Sequence, residues 1–313
     1  MAYWLAFDIG TTGTKAALLD SDGRAIRSAY RDYPTYSGDG GVMEQDARQW
    51  WVAACEAARE VEAGAIEGIV LTGQMQDVIL IDTQGEPTYP VILYSDSRAV
   101  RETGAIQAAI GADHLIALTG NAQEAGSLLA KLVWLQSNQP HALERASHLL
   151  TDAADYIAFK LTGVAATDTT TASTTGLMEL ESRAWLQPDT FKAAGIQAIS
   201  RLLPRLVAGG TRIGSAHETG AAAFGVPALL ESRREPLSTW ALGMRAQRRS
   251  AQAEVLPAPP MRILAPADGW PLPATNAATP PAEPLIWRIP YRGRSFASRR
   301  CSRQAATWTG SSG

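Results

Sequence analysis

The chain is poor in the residues that build metal centres and covalent frameworks. Across 313 residues it has two cysteines, Cys55 and Cys301, and four histidines. Two distant cysteines give neither a disulfide framework nor a metal spacing, which suits a reducing cytoplasm. His114, His141, His148 and His217 are scattered, and they form no zinc pattern. No Ser/His/Asp or Cys/His arrangement is legible from spacing either. No apolar run reaches the length needed to span a bilayer. Met1 leads straight into an apolar segment without a basic stretch or cleavage site, so no signal peptide is expected. The formal net charge is -3, which offers no excess of cations for nucleic acid or an anionic membrane. The length fits one large domain or two ordinary ones. The expected class is a soluble α/β protein.

Against these absences the first fifteen residues stand out. Tyr3 to Phe7 are aromatic and aliphatic, with no turn former, and read as a buried strand. Asp8, Ile9, Gly10, Thr11, Thr12, Gly13, Thr14 and Lys15 follow, then the apolar run Ala16 to Leu19 and the turn Asp20-Ser21-Asp22-Gly23. Strand, Gly/Thr loop and strand suggest a phosphate loop inside a hairpin. Glycines allow positive φ and close approach, and successive N–H groups form an anion-binding concavity. Asp8 at the strand end could hold a metal-bound water. The plain alternative is an ordinary hairpin turn with a surface lysine. A Walker loop differs because it opens a helix.

Further along, Arg24 to Tyr30 is expected to be a third strand, and Tyr33 to Gly41 a turn-rich loop. Asp46 is an N-cap for a helix running to about Glu62, with Trp50, Ala54 and Ala57 at helical spacing. Glu44 and Asp46 read as capping residues, with ligand contact as the alternative. Gly68 to Gly73 is a buried strand ending in a loop at Gln74, Met75, Gln76 and Asp77, and Val78 to Asp82 is a further strand. Pro90 to Tyr94 leads to Ser95, Asp96, Ser97 and Arg98. Two strand ends carrying polar clusters fit a cleft. Gln74, Gln76, Asp96 and Arg98 suit recognition of hydroxyls, or they cap turns. Spacing leaves both open. Residues 99 to 150 read mainly as helices. Leu149 to Gly163 reads as an apolar helix containing Asp152, Asp155 and Tyr156, Gly209 to Gly214 as a short strand, and His217 to Phe224 as a helix.

Taken in order, Asp8-Ile9-Gly10-Thr11-Thr12, Glu44-Gln45-Asp46, Gly73-Gln74-Met75-Gln76, Ser95-Asp96-Ser97-Arg98, Asp155-Tyr156 with Leu161-Thr162-Gly163, and Thr175-Gly176-Leu177 resemble the first half of the FGGY carbohydrate kinases, closest to the xylulokinase-like branch. The first motif alone is similar to that of actin-like ATPases generally, chaperones included. The resemblance implies a ribonuclease H-like (actin-like) fold over residues 1–228 and ATP-dependent phosphorylation of a ketose or related polyol, with Mg²⁺. It implies that Asp8 orients metal and phosphates, that Gly10, Thr11, Thr12, Gly13, Thr14 and Lys15 line the phosphate, and that Gln74, Met75, Gln76, Asp96 and Arg98 lie at or near the sugar. Xylulokinases usually carry a histidine where this chain has Gln76. A small sugar or polyol is then the expected partner, and homodimerisation stays open.

Residues 229–313 depart from that pattern. They contain no lysine, many arginines and most of the prolines. The Gly-Asp motif that carries the family's general base is missing, and so is a second ATP-binding domain. Asp268, the tail's one aspartate, does not match the base motif. The expectation is a frame-shifted or disordered tail, an impaired kinase, and a sugar-binding remnant or a chaperone-type ATPase as alternatives.

Overall fold

The computed structural model describes residues 3–64 and 66–226. Residues 229–313, with Asp268 and Cys301, lie outside the described residues.

The first strand behaves as its sequence demands. β1 (Trp4–Ile9) pairs antiparallel with β2 (Gly13–Leu19), which pairs antiparallel with β3 (Ala25–Asp32). Asp20 closes the β2–β3 turn by accepting the N–H groups of Asp22 and Arg24. The chain then passes β4 (Tyr36–Gly38) and β5 (Val42–Gln45) into α1 (Ala47–Glu60). Part of the expected Tyr33–Gly41 loop is thus a strand, because β4 pairs with β5. Asp46 caps α1, its side chain accepting from the Arg48 N–H at 3.0 Å. β6 (Gly68–Gly73) runs parallel to β1, so the sheet order is β3-β2-β1-β6.

A second sheet is built on β7 (Met75–Ile81). β8 (Val91–Ile92) and β9 (His148–Asp152) flank it, giving the order β4-β5-β8-β7-β9. Successive side chains of a strand face opposite ways. Ile79 and Ile81 therefore enter one core with Leu5, Phe7, Trp50 and Tyr156, while Val78 and Leu80 enter another. That second core is covered by α2 (Val100–Ile110), α3 (Ala112–Thr119), α4 (Leu128–Asn138) and α5 (Pro140–Arg145). β7 is the wall between two cores, and this explains its unbroken buried run.

Two sequence expectations need correction. Leu149 to Gly163 is not one helix: β9 ends at Asp152, and α6 (Ala153–Thr162) follows. Asp152 has extended φ/ψ, and its Oδ1 accepts the Ala154 N–H at 2.5 Å, so it caps α6 and stops the strand. Leu149 and Leu150 are instead held by pairing with β7. The chain continues through β10 (Ala166–Asp168), α7 (Thr169–Ser173), β11 (Met178–Glu179), β12 (Ala184–Trp185) and α8 (Pro188–Ala193). The strand expected at Gly209–Gly214 lies earlier, as β13 (Arg205–Val207) parallel to β10. A turn from Ala208 O to Thr211 N, with Gly210 at φ 84°, ends it. Last comes α9 (Glu218–Phe224), where His217 Nδ1 accepts the Gly220 N–H. α1 ends at Glu60, slightly short of the expected Glu62.

Candidate phosphate and sugar loops

Asp8 and Ile9 close β1 opposite Lys15 and Thr14 of β2, and beside Thr72 and Gly73 of β6. The loop between β1 and β2 is drawn tight by a bond from Gly10 N to Gly13 O at 3.0 Å. Its carbonyls are all bonded. Tyr33 Oη donates to Gly10 O, Gln45 Nε2 to Thr11 O at 2.6 Å, and Tyr30 Oη to Thr12 O at 3.1 Å. The Thr11 and Thr12 N–H groups have no acceptor among the described residues, and the Thr12 side chain is exposed. Carbonyls already bonded and amides left without an acceptor suit the binding of an anion. Asp8 and Lys15, both exposed, add one charge of each sign.

The glycines act differently from the expectation. Neither Gly10 nor Gly13 has positive φ. Gly13 is required by proximity: a Cβ there would lie 2.5 Å from Arg31 O on β3 and against the Tyr30 ring. Gly73 is similar, with Ile9 O at 2.9 Å and Ala154 N at 3.1 Å from the position of a Cβ. Gly13→Ala should therefore cost about 1–3 kcal/mol through overpacking, seen as a lower urea midpoint at unchanged slope.

The sugar-loop candidates divide. Gln74 is buried, its Nε2 donating to Gln45 Oε1 at 3.0 Å, while its Oε1 has no partner among the described residues. Met75 is 41% exposed, and its sulfur accepts the Thr171 hydroxyl at 3.7 Å. Gln76 sits at φ 66°, and the β7–β9 register shifts between Met75 and Ile79. A non-glycine residue in left-handed backbone beside a bulge is a strained, re-aimed segment of the kind found at binding sites.

Asp96 and Arg98 prove to be committed internally. Asp96 is fully buried; it accepts the Met43 N–H at 2.6 Å and the Arg98 N–H, Nε and Nη2. Arg98 also reaches Glu44 at 2.8 Å and lies over the Trp134 ring. Burial alone would lower the Arg98 pKa, but hydrogen bonds to Asp96 and Glu44 raise it above the usual value. The pair pins β5 to the loop after β8, and no hydrogen bond joins either residue to Gln74, Met75 or Gln76. Glu44 is thus an ion-pair partner, while Asp46 caps as expected.

Asp152 and Asp155, which the sequence reading puts inside one helix, interact with Asp168 as a group of buried acids. Asp152, Asp155 and Asp168 are buried close together. Desolvation pushes Asp152 up, with the charges of Asp168 and Asp8 adding to it, and pushes Asp155 well up, with Asp152 adding. Thr171 donates to Asp168 Oδ2 at 2.9 Å. Asp77 is likewise raised by burial, although its Oδ1 accepts the Tyr94 N–H. Among the described residues no three acidic, histidine or cysteine side chains are placed to hold a metal ion, and no helix is long and apolar enough to cross a membrane. The donor set suits a cation that keeps most of its waters and meets the protein at Asp8, as Mg²⁺ does beside phosphates. A pocket of about 560 Å³ lined by Pro34, Tyr36, Glu44, Arg48, Tyr89 and Pro90 contains none of the predicted site residues.

Residues 3–230 match the family model of the FGGY family of carbohydrate kinases, N-terminal domain. The xylulose kinase of Lactococcus lactis subsp. lactis is 30% identical over 221 residues, covering 68% of this chain and 43% of that protein. The L-fuculokinase of Escherichia coli K12 is 31% identical over 233 residues, covering 71% and 48%. The solved xylulose kinase of Rhodospirillum rubrum superposes with a TM-score of 0.68 at 26% identity, over 76% of this chain and 48% of that one. The chain spans about half the length of the curated relatives it matches.

Proposed function

Because the chain belongs to the FGGY family of carbohydrate kinases, we propose that residues 3–226 are the phosphate- and sugar-binding half of an ATP-dependent kinase for a ketose or related polyol. The observation that carries this reading is the β1–β2 loop: three carbonyls already bonded, two amides without an acceptor among the described residues, and Asp8 at its edge. Mg²⁺, when bound, would neutralise phosphate charge and reach the protein through water on Asp8. Thr11 and Thr12 would receive phosphate oxygens, and Lys15 would add positive charge. Met75 and Gln76, the accessible residues at the start of β7 where the sequence predicts a loop over residues 74–77, would touch the sugar, and Gln74 would brace them through Gln45. Phosphoryl transfer of this kind depends on positioning and electrostatic stabilisation rather than covalent chemistry.

The resemblance places the general base in a Gly-Asp motif after residues 225–228, and residues 229–313 carry no Gly-Asp pair. The chain by itself should therefore bind ligand with little turnover. The test is calorimetric titration with Mg-ADP and a panel of ketoses, polyols and sugar acids, beside an assay of ADP release from Mg-ATP. Expected are sugar and nucleotide binding without sugar-dependent ADP, and nucleotide affinity about tenfold lower in Asp8→Asn. Sugar-dependent ADP would show that a base has been overlooked. A folded chain that binds neither sugar nor nucleotide would overturn the reading.

A further inference from the structure

The Gln45 amide joins four separate segments of the chain. Its Nε2 donates to Thr11 O and to Thr35 Oγ1, both at 2.6 Å. Its Oε1 accepts from Trp50 Nε1 at 2.9 Å and from Gln74 Nε2 at 3.0 Å. All four hydrogen-bonding positions of the amide are used. Its orientation is also determined by chemistry, since an indole N–H can only donate and the Thr11 carbonyl can only accept. The side chain is 4% exposed. Its backbone is fixed at the end of β5, where it pairs with Val91, and Asp46 next to it caps α1.

Two of these partners belong to the two candidate ligand loops. Thr11 is the centre of the anion cradle. Gln74 opens the sugar loop and is itself clamped, its N–H to Ile9 O at 2.9 Å and its carbonyl to Ala153 N at 3.0 Å. With its Nε2 committed to Gln45, Gln74 has one acceptor, Oε1, left without a partner among the described residues. A movement of Thr11 that broke the bond to Gln45 would release the amide that sets the Gln74 side chain.

We infer that Gln45 is a positioning residue that couples the phosphate loop to the sugar loop, so that occupancy of one favours the binding geometry of the other. This rests on the functional reading of the two loops given above. Gln45 meets neither ligand; it acts by fixing Thr11 and Gln74 with one planar group. Coupling of this kind is reciprocal.

Gln45→Glu isolates the effect. A carboxylate keeps an oxygen for Trp50 and Gln74, and the Thr35 hydroxyl can turn to donate, but the Thr11 carbonyl then faces an acceptor. The damage starts at one loop only. Hydrogen exchange on the purified 313-residue chain should show amides in residues 9–14 exchanging about tenfold faster, and those in residues 73–77 accelerating with them. Trp50→Phe removes another bond to the same oxygen yet leaves the Thr11 contact, so it should destabilise the chain without accelerating residues 9–14. Acceleration in Gln45→Glu confined to residues 9–14 would overturn the coupling. So would equal acceleration of both loops in Trp50→Phe, which would mark general loosening.

Titration adds a second reading with Mg-ADP and D-xylulose as probes. In the wild type, Mg-ADP should tighten D-xylulose binding, and Gln45→Glu should abolish that linkage while each probe still binds. Linkage unchanged in Gln45→Glu would also sink the inference. Should the wild type bind neither probe, the kinase reading fails by itself, and the exchange result alone decides whether Gln45 couples the loops.

Discussion

Trp50→Ala should remove a large share of the chain's stability, about 3–5 kcal/mol. Trp50 is fully buried and is the largest side chain in its core. It stands edge-on to Tyr156 with ring centroids 6.2 Å apart, and tilted against Tyr33 at 6.5 Å. The helix around it presents small residues to the same core, Ala47, Ala53, Ala54, Ala57 and Ala58. Those alanines let α1 lie close to the sheet, and they leave the indole to fill the remaining space. Truncation of such a residue costs about 3–5 kcal/mol, against a total domain stability of about 5–15 kcal/mol. The loss also strands Gln45 Oε1 without its indole donor. Urea unfolding followed by circular dichroism measures the effect. Trp50→Phe, which keeps most of the volume, should cost much less, and a Trp50→Ala midpoint near wild type would mean that the core relaxes around the hole.

The same residues show what sequence alone could disclose. The β1–β2 loop was legible because its signal is local: an apolar strand, an acid, and Gly/Thr in unbroken succession. Trp50, Ala54 and Ala57 announced α1 by period, and Asp46 announced its cap. The β9–α6 boundary is not legible in the sequence, since Leu149 to Leu161 is mostly apolar and shows neither period cleanly. Only pairing with β7 holds its first residues extended. Asp96 and Arg98 were rightly seen as polar residues at a strand end. Their partners Met43 and Glu44 are more than fifty positions away in sequence, so spacing could not tell internal ion pairing from ligand contact. Gln45 shows the same limit more sharply. It stood inside a recognised motif, but its role depends on Thr11, Thr35, Trp50 and Gln74 meeting at one amide. Convergence of that sort is a property of the folded chain.

The buried acids lead to the second large effect, on pH dependence. Asp155 is fully buried within α6, and desolvation, reinforced by Asp152, holds its pKa well above the ordinary carboxylate value. Asp77 is raised by burial in the same way, and Asp152 by burial with Asp168 and Asp8 contributing. A carboxyl whose pKa is higher folded than unfolded binds more protons in the native state across the interval between the two values. Stability then falls as pH rises through that interval, by up to about 1.4 kcal/mol per pH unit for each group. Three acids shifted in one direction should make the chain most stable on the acid side of neutrality and weaken it steadily from about pH 5 to pH 8. Burial lowers the Lys131 pKa to about 8 despite the nearby Asp77 and Asp96, so it adds no slope below about pH 7 and begins to offset the fall toward pH 8. Asp155→Asn removes one of the three titrations while keeping shape. The variant should lose less stability than the wild type as pH rises from 5 to 8, because one group that is held protonated in the native state is gone. Urea midpoints measured from pH 5 to pH 8 on both proteins decide the matter. Parallel curves would mean that Asp155 carries its charge in the native state, stabilised by a cation or water held between it, Asp152 and Thr167.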